Sequence, residues 1–211
     1  FAGFGLHFRA DGFRLVMAMI AAITWFFTTV QSIEYFNKLN GRNRNRYYMF
    51  MLWTLGATMA IFLSANLYTT FIFFEVMTFT SYVLVIHGES EKAIDASKSY
   101  LGFGVLGGLV TLMGLFMLQA NIGTLEMDQI LSAIQSSGTS YGMVLASGLL
   151  ILFGFGVKAG MYPLHTCLPK AYVAAPEPAT ALLSAVLSKA GIFGIFVVTG
   201  QILLHDYTWG L

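Results

Sequence analysis

Apolar residues run through this chain in long blocks joined by short polar links. Six blocks lie near residues 15–34, 48–65, 67–87, 99–120, 142–167 and 179–204. Each is long enough to cross a bilayer core of roughly 30 Å, which takes about 20 helical residues. The pattern predicts an all-α fold, a polytopic transmembrane helical bundle of about six spans forming one domain over residues 1–211. A tight turn at Asn66 parts the second and third blocks. Pro163 interrupts the fifth, so one span is expected to be a broken helix. Residues 122–138 are less apolar. Within them Leu125, Ile130, Leu131 and Ile134 share one side of a helical wheel, and Thr124 offers a cap. This segment is expected to lie as a short amphipathic helix at the membrane interface.

Composition narrows the class. Of 211 residues, 57% are hydrophobic and 10% charged, with a mean hydropathy of +0.73. A soluble domain carries about 25% charged residues. A disordered chain, a nucleic-acid module and an ordinary soluble enzyme are excluded, and the lipid bilayer is the expected surrounding. A single Cys leaves no disulfide framework and no Cys-clustered zinc or iron–sulfur site. No two histidines have metal-ligand spacing, so neither metal nor cofactor is expected. No charged n-region with a small-residue cleavage site precedes the first block, so no signal peptide is expected. The Gly104/Gly108 pair has the small-xxx-small spacing of close helix packing.

Basic residues set an orientation. The links after blocks one, three and five hold Lys38, Arg42, Arg44, Arg46, Lys92, Lys98 and Lys170, whereas the other side holds Arg9 and Arg14. The first set of links is expected in the cytoplasm, with both chain ends outside.

Three charges stand where lipid should be. Glu75, Lys158 and Lys189 fall inside apolar blocks, each at an insertion cost on the order of 2.5–3.5 kcal/mol. A mid-helix residue is about 15 Å from either surface, too far for snorkelling, so these groups must face protein or water. A structural ion pair between Glu75 and one lysine would leave the other lysine over. A proton relay uses all three. Burial disfavours the charged form of an amine and a nearby carboxylate favours it. At an effective dielectric of about 20, a carboxylate 4 Å away is worth roughly 4 kcal/mol. A carboxylate that approaches or recedes would therefore switch a lysine between holding and releasing a proton.

The fifth block adds a second signal. Pro163 deprives the carbonyl of Ala159 of its helical partner, and Gly154, Gly156 and Gly160 loosen the same stretch. Opened backbone is tolerated in a bilayer where it is buried in protein or lines a wet cavity. Lys158 precedes the break and His165 follows it; His165 fits a relay member and a core histidine equally. His7, His87 and His205 fall at block ends or in links and read as interfacial residues. Asn66 and Tyr82 would extend a polar path, and Cys167 reads as packing.

These residues also carry a resemblance. The stretch VKAGMYPLHTCLPKAYVAAPEPATALLSAVLSKAGIFG closely resembles the signature of the antiporter-like membrane subunits shared by respiratory complex I, energy-converting membrane-bound hydrogenases and multi-subunit sodium/proton antiporters. FIFFEVMTFTSYVL resembles that family's glutamate helix, and Asp11–Gly12 its D-G motif. SKSYLGFGVLGGLVTLMGLFML, followed by Gly123–Thr124–Leu125, is similar as well. The resemblance implies a chain of about fourteen helices with two inverted five-helix repeats, of which this sequence corresponds to helices three to eight, the first half-channel. It implies that Glu75 is the family glutamate, Lys158 the broken-helix lysine, Lys189 the lysine of the following helix and His165 the histidine of HTWLP. Cys167 replaces the usual Trp, Lys170 often corresponds to Asp, Ser184 stands where some members have His, and Phe13–Arg14 follows D-G where Ser is common.

The expected function is a proton-translocating, non-redox membrane subunit of a complex I-like or hydrogenase-type oxidoreductase in a prokaryotic inner membrane. Its expected partners are other membrane subunits, sister antiporter-like subunits among them. The alternatives are a sodium/proton antiporter subunit and a passive membrane anchor.

Overall fold

The computed structural model describes residues 5–38, 43–138 and 140–203, and Arg42 and His205 lie outside them. Among the described residues nine α-helices follow in chain order: α1 (Gly12–Lys38), α2 (Arg44–Phe62), α3 (Leu67–Val85), α4 (Glu91–Ile122), α5 (Met127–Ser137), α6 (Tyr141–Ala159), α7 (Cys167–Ala174), α8 (Glu177–Leu182) and α9 (Ser188–Val198). The protein is a membrane-integral helical bundle. Among the described residues five stretches are long and apolar enough to span: Gly12–Lys38, Leu67–Gly88, Glu91–Ile122, Tyr141–Ala174 and Glu177–Leu203. The sixth expected span, α2, is a 19-residue helix packed against α3. It is less apolar because Arg44, Asn45 and Arg46 open it and Thr54 and Thr58 face inward.

Local chemistry sets the helix ends. Asp11 caps α1, its Oδ1 accepting the backbone N–H of Arg14 at 3.0 Å. That bond, first among its causes, holds the Asp11 carboxyl below the usual carboxylate range. The Asn66 side chain accepts from Thr69 N at 2.7 Å and starts α3. Ser90 caps α4, with Glu91 in its first turn. Gly123 ends α4 at φ 75°, a left-handed conformation that glycine adopts freely.

At 32 residues, α4 is about 48 Å long, more than the bilayer core requires. It is the central strut. One face meets α3, where Gly104 lies under Thr78 and Gly108 under Glu75. Another face meets α6, where Gly107 and Gly114 lie against Val157 and Ile151. The Gly104/Gly108 spacing read from the sequence is thus the α3 contact.

At the end of the bundle where α1 begins, three connecting segments are knitted together. Ala65 N donates to the His7 carbonyl at 2.8 Å, Leu67 N to Leu125 O at 3.0 Å and Met127 N to Ala65 O at 3.1 Å. Glu126 binds the His7 ring and takes a bond from Asn66 Nδ2 at 3.3 Å. Asn66 therefore serves as cap and clamp. The amphipathic helix α5 starts here, beyond the Thr124 cap read from the sequence: its N-cap is Glu126, whose N–H is taken by Thr124 Oγ1. Leu125, Ile130 and Ile134 are buried against the bundle. At the other end His87 packs its ring against Phe36 and Tyr47, and Arg46 pairs with Glu89 at 2.6 Å.

Candidate functional site

The site is built where α3, α4 and α6 meet. Helix α6 ends at Ala159 because Gly160 turns left-handed, φ 79°, and Met161 N folds back to Gly156 O at 2.9 Å. The break thus precedes Pro163, which sits in the following turn, at the start of a short 3₁₀ segment, Leu164–Thr166. Pro163 bars the chain from resuming the helix at once, and Gly160 makes the stop. Gly154 does not loosen α6. It lies in contact with Gly107 O and Thr111, where any side chain would collide.

Lys158 occupies the last turn of α6 and is 3% exposed. Its ammonium donates to the Tyr100 hydroxyl at 2.5 Å and lies 3.8 Å from the centre of that ring. Tyr100, on α4, is itself buried, and its hydroxyl bonds Ser81 Oγ on α3 at 2.8 Å. A chain of polar groups therefore runs from α6 through α4 to α3. Sequence reasoning missed Tyr100 and Ser81. The signal that finds them is register, since the antiparallel α3 and α4 pair Glu75 with Gly108, Thr78 with Gly104 and Ser81 with Tyr100.

Glu75 lies six residues along α3 from Ser81, about 9 Å at the helical rise. Its carboxylate rests on Gly108, and Oε1 is buried with no hydrogen-bond partner among the described residues. No ion pair joins Glu75 to Lys158, whose ammonium is held at Tyr100 instead. A buried carboxylate oxygen left unbonded is costly and strongly attracts a cation.

Lys189 is placed differently. It follows a wide π-helical turn, Leu183–Leu187, that joins α8 to α9. Its ammonium donates to Ser184 O at 2.8 Å, and Ser188 Oγ donates to Leu183 O at 2.9 Å. Side chains thus add hydrogen bonds to carbonyls of the widened turn, where the Ser188 N–H also reaches Leu183 O. Ser188 also bonds the Tyr172 hydroxyl of α7 at 3.0 Å. Lys189 lies on the exposed face of α9, while Gly191 on the opposite side packs against the end of α6 at Ala159. His165 is exposed and stacks on Tyr162, ring centres 5.8 Å apart. The structure therefore brings Glu75 and Lys158 to one centre and holds Lys189 and His165 at the bundle surface. Among the described residues no group of His, Cys, Asp and Glu is arranged to hold a metal ion.

Residues 64–210 match the family described as NADH:quinone oxidoreductase/Mrp antiporter, transmembrane. The chain belongs to that family. It is 30% identical to a Na(+)/H(+) antiporter subunit of Bacillus subtilis (strain 168), over 97% of this chain and 41% of the relative. It is also 30% identical to Hydrogenase-4 component B of Escherichia coli (strain K12), over 98% of this chain and 30% of the relative. The chain thus spans less than half the length of these relatives. Among solved structures, a chain of the membrane-bound sulfane sulfur reductase, an archaeal respiratory membrane complex, superposes with a TM-score of 0.83 at 28% identity, over 95% of this chain and 31% of that one. A chain of the Mrp complex from Dietzia sp. DQ12-45-1b gives 0.81 at 22% identity, over 95% and 37%, which shows the shared fold. In this family member the lysine-bearing broken helix and the glutamate helix flank one glycine-lined strut.

Proposed function

We propose that this chain is an ion-translocating, non-redox part of a multi-subunit membrane complex and that its cargo is the proton. Lys158 carries the proton at the helix break. Glu75 controls it by pairing with Lys158 in one state and standing off in another. Lys189 is the next carrier, and His165 contributes at the surface beyond the break. Electron transfer belongs to partner subunits, in a complex I-like or hydrogenase-type assembly in a prokaryotic cell membrane. The links rich in Lys and Arg face the cytoplasm, from which protons are taken up, and both chain ends face outward. The face of α9 with Lys189 meets further protein, since an ammonium in mid-span is too costly to leave in lipid.

One observation carries this proposal. A lysine is enclosed beside a broken helix with no carboxylate paired to it among the described residues, while a glutamate with an unbonded buried oxygen waits on a helix of the same centre. A lysine serving only to tie helices would be paired. The test is proton pumping by the complete complex reconstituted in vesicles. Glu75→Gln and Lys158→Ala should each abolish nearly all pumping with assembly intact. Normal pumping in either variant defeats the proposal.

A second reading, sodium/proton exchange without a redox partner, is favoured by the name of the Bacillus subtilis relative. It requires proton movement to stop when sodium is withdrawn. The proton-pump reading requires it to continue.

A further inference from the structure

The structure shows the Lys158 amine at Tyr100, with no ion pair to Glu75. We propose that Tyr100 is a positioning residue, a docking post that holds the Lys158 amine away from Glu75 during part of the transport cycle. This rests on the proton-carrier reading of Lys158 and adds the element that makes its pairing with Glu75 reversible.

The geometry is specific. The amine is held by hydroxyl and ring together, at 2.5 Å from the oxygen and 3.8 Å from the ring centre. A hydroxyl lone pair and an aromatic face both attract an ammonium, and neither carries a charge to trap it. Ser81 fixes the Tyr100 hydroxyl from the far side at 2.8 Å. Tyr100 lies eight residues from Gly108, where the Glu75 carboxylate rests, about 12 Å of helical rise along α4. Docked on Tyr100, the amine makes no ion pair with Glu75, whose Oε1 has no partner among the described residues. Lys158 stands in the last turn before the Gly160 stop, on a flexible four-carbon stem, so it can swing between them. The charge-free post is weak enough to leave, and the unbonded Glu75 oxygen supplies the competing attraction.

Tyr100 also lies one helical turn from a surface groove. A groove of about 670 Å³ opens between α4 and α7 at the end holding the Lys-rich links, lined by Asp95, Ala96, Lys170 and Val173. Ala96 lies one helical turn from Tyr100 on α4, and Lys170 lies one turn from the buried Cys167 on α7. The docked amine is thus at the groove side of the site, and the Glu75-paired amine is deeper.

The test compares Tyr100→Phe with the unaltered protein in the complete complex. A membrane-permeant carbodiimide joins a carboxylate to an amine only where they touch, and mass spectrometry counts the Glu75–Lys158 link. Tyr100→Phe keeps the ring and removes the hydroxyl. It is expected to raise that link several-fold and to slow proton pumping about ten-fold, the scale of one hydrogen bond to a charged group. An unchanged link together with unchanged pumping overturns the proposal, as does slowed pumping with an unchanged link, because a purely structural role would do that. Should Tyr100→Phe fail to assemble, Ser81→Ala, which frees the post, must raise the link in the same direction; no rise overturns it. Lys158→Ala run beside these separates the two claims. Full pumping in Lys158→Ala sinks the carrier reading itself, whereas lost pumping there with a normal Tyr100→Phe sinks only the post.

Discussion

At Gly108, α4 leaves just enough space for the carboxylate of Glu75. A Cβ there would stand 2.7 Å from Glu75 Cδ, inside any real contact. The obstacle is the far end of a flexible side chain, so Gly108→Ala should displace the carboxylate and leave the helices in place. Thermal stability of the purified complex is expected to stay within about 1 kcal/mol of normal. Proton pumping should fall by about ten- to a hundred-fold, because a group misplaced by about 1 Å loses its transfer geometry. Unaltered pumping would mean that the position of Glu75 is immaterial. Single residues were also where the sequence spoke most clearly. Glu75 and Lys158 stand out because a charge in an apolar block costs so much. Tyr100 and Ser81 did not, since a hydroxyl in such a block is cheap and Tyr100 is one of 10 tyrosines. Their meaning comes only from the register of α3 on α4.

Elements show the ambiguity of glycine. The α6 stretch reads as loosened by Gly154, Gly156 and Gly160 together, yet only Gly160 adopts a left-handed turn. Gly154 permits close approach to α4, and the sequence does not distinguish backbone freedom from a missing side chain. The break falls at Gly160 because its left-handed turn ends the helix before Pro163 is reached. Gly154→Ala would drive a side chain into the Gly107 carbonyl, with Thr111 Cβ 3.0 Å away, so α4 and α6 must part. A loss of about 1–3 kcal/mol is expected, read as a lowered melting temperature. Gly102→Ala on the same strut meets nothing within 4 Å and should be neutral or slightly stabilising. Equal effects from the two substitutions would contradict this packing. The spans themselves were legible because block length and bilayer thickness match. The exception, α2, holds its place by packing against α3 despite its polar opening turn.

Across the whole molecule, two interrupted helices carry two lysines. One lysine is enclosed at a stop in α6, and the other follows a wide turn between α8 and α9 on an outward face. Nothing in the pattern of residues distinguishes these surroundings, because both lysines lie in equally apolar blocks. Gly191 packs on Ala159 and leaves Lys189 on the outward face, while Tyr100 holds Lys158 inward. Translocation through this centre requires Lys158 to change its protonation as ions cross. Nuclear magnetic resonance of the side-chain nitrogen, with lysine labelled at Nζ, reads that state directly in the complete complex in a membrane. Under an imposed proton gradient the Lys158 signal, assigned by its loss in Lys158→Ala, should exchange between ammonium and amine. A Lys158 that remains ammonium at every stage would contradict it.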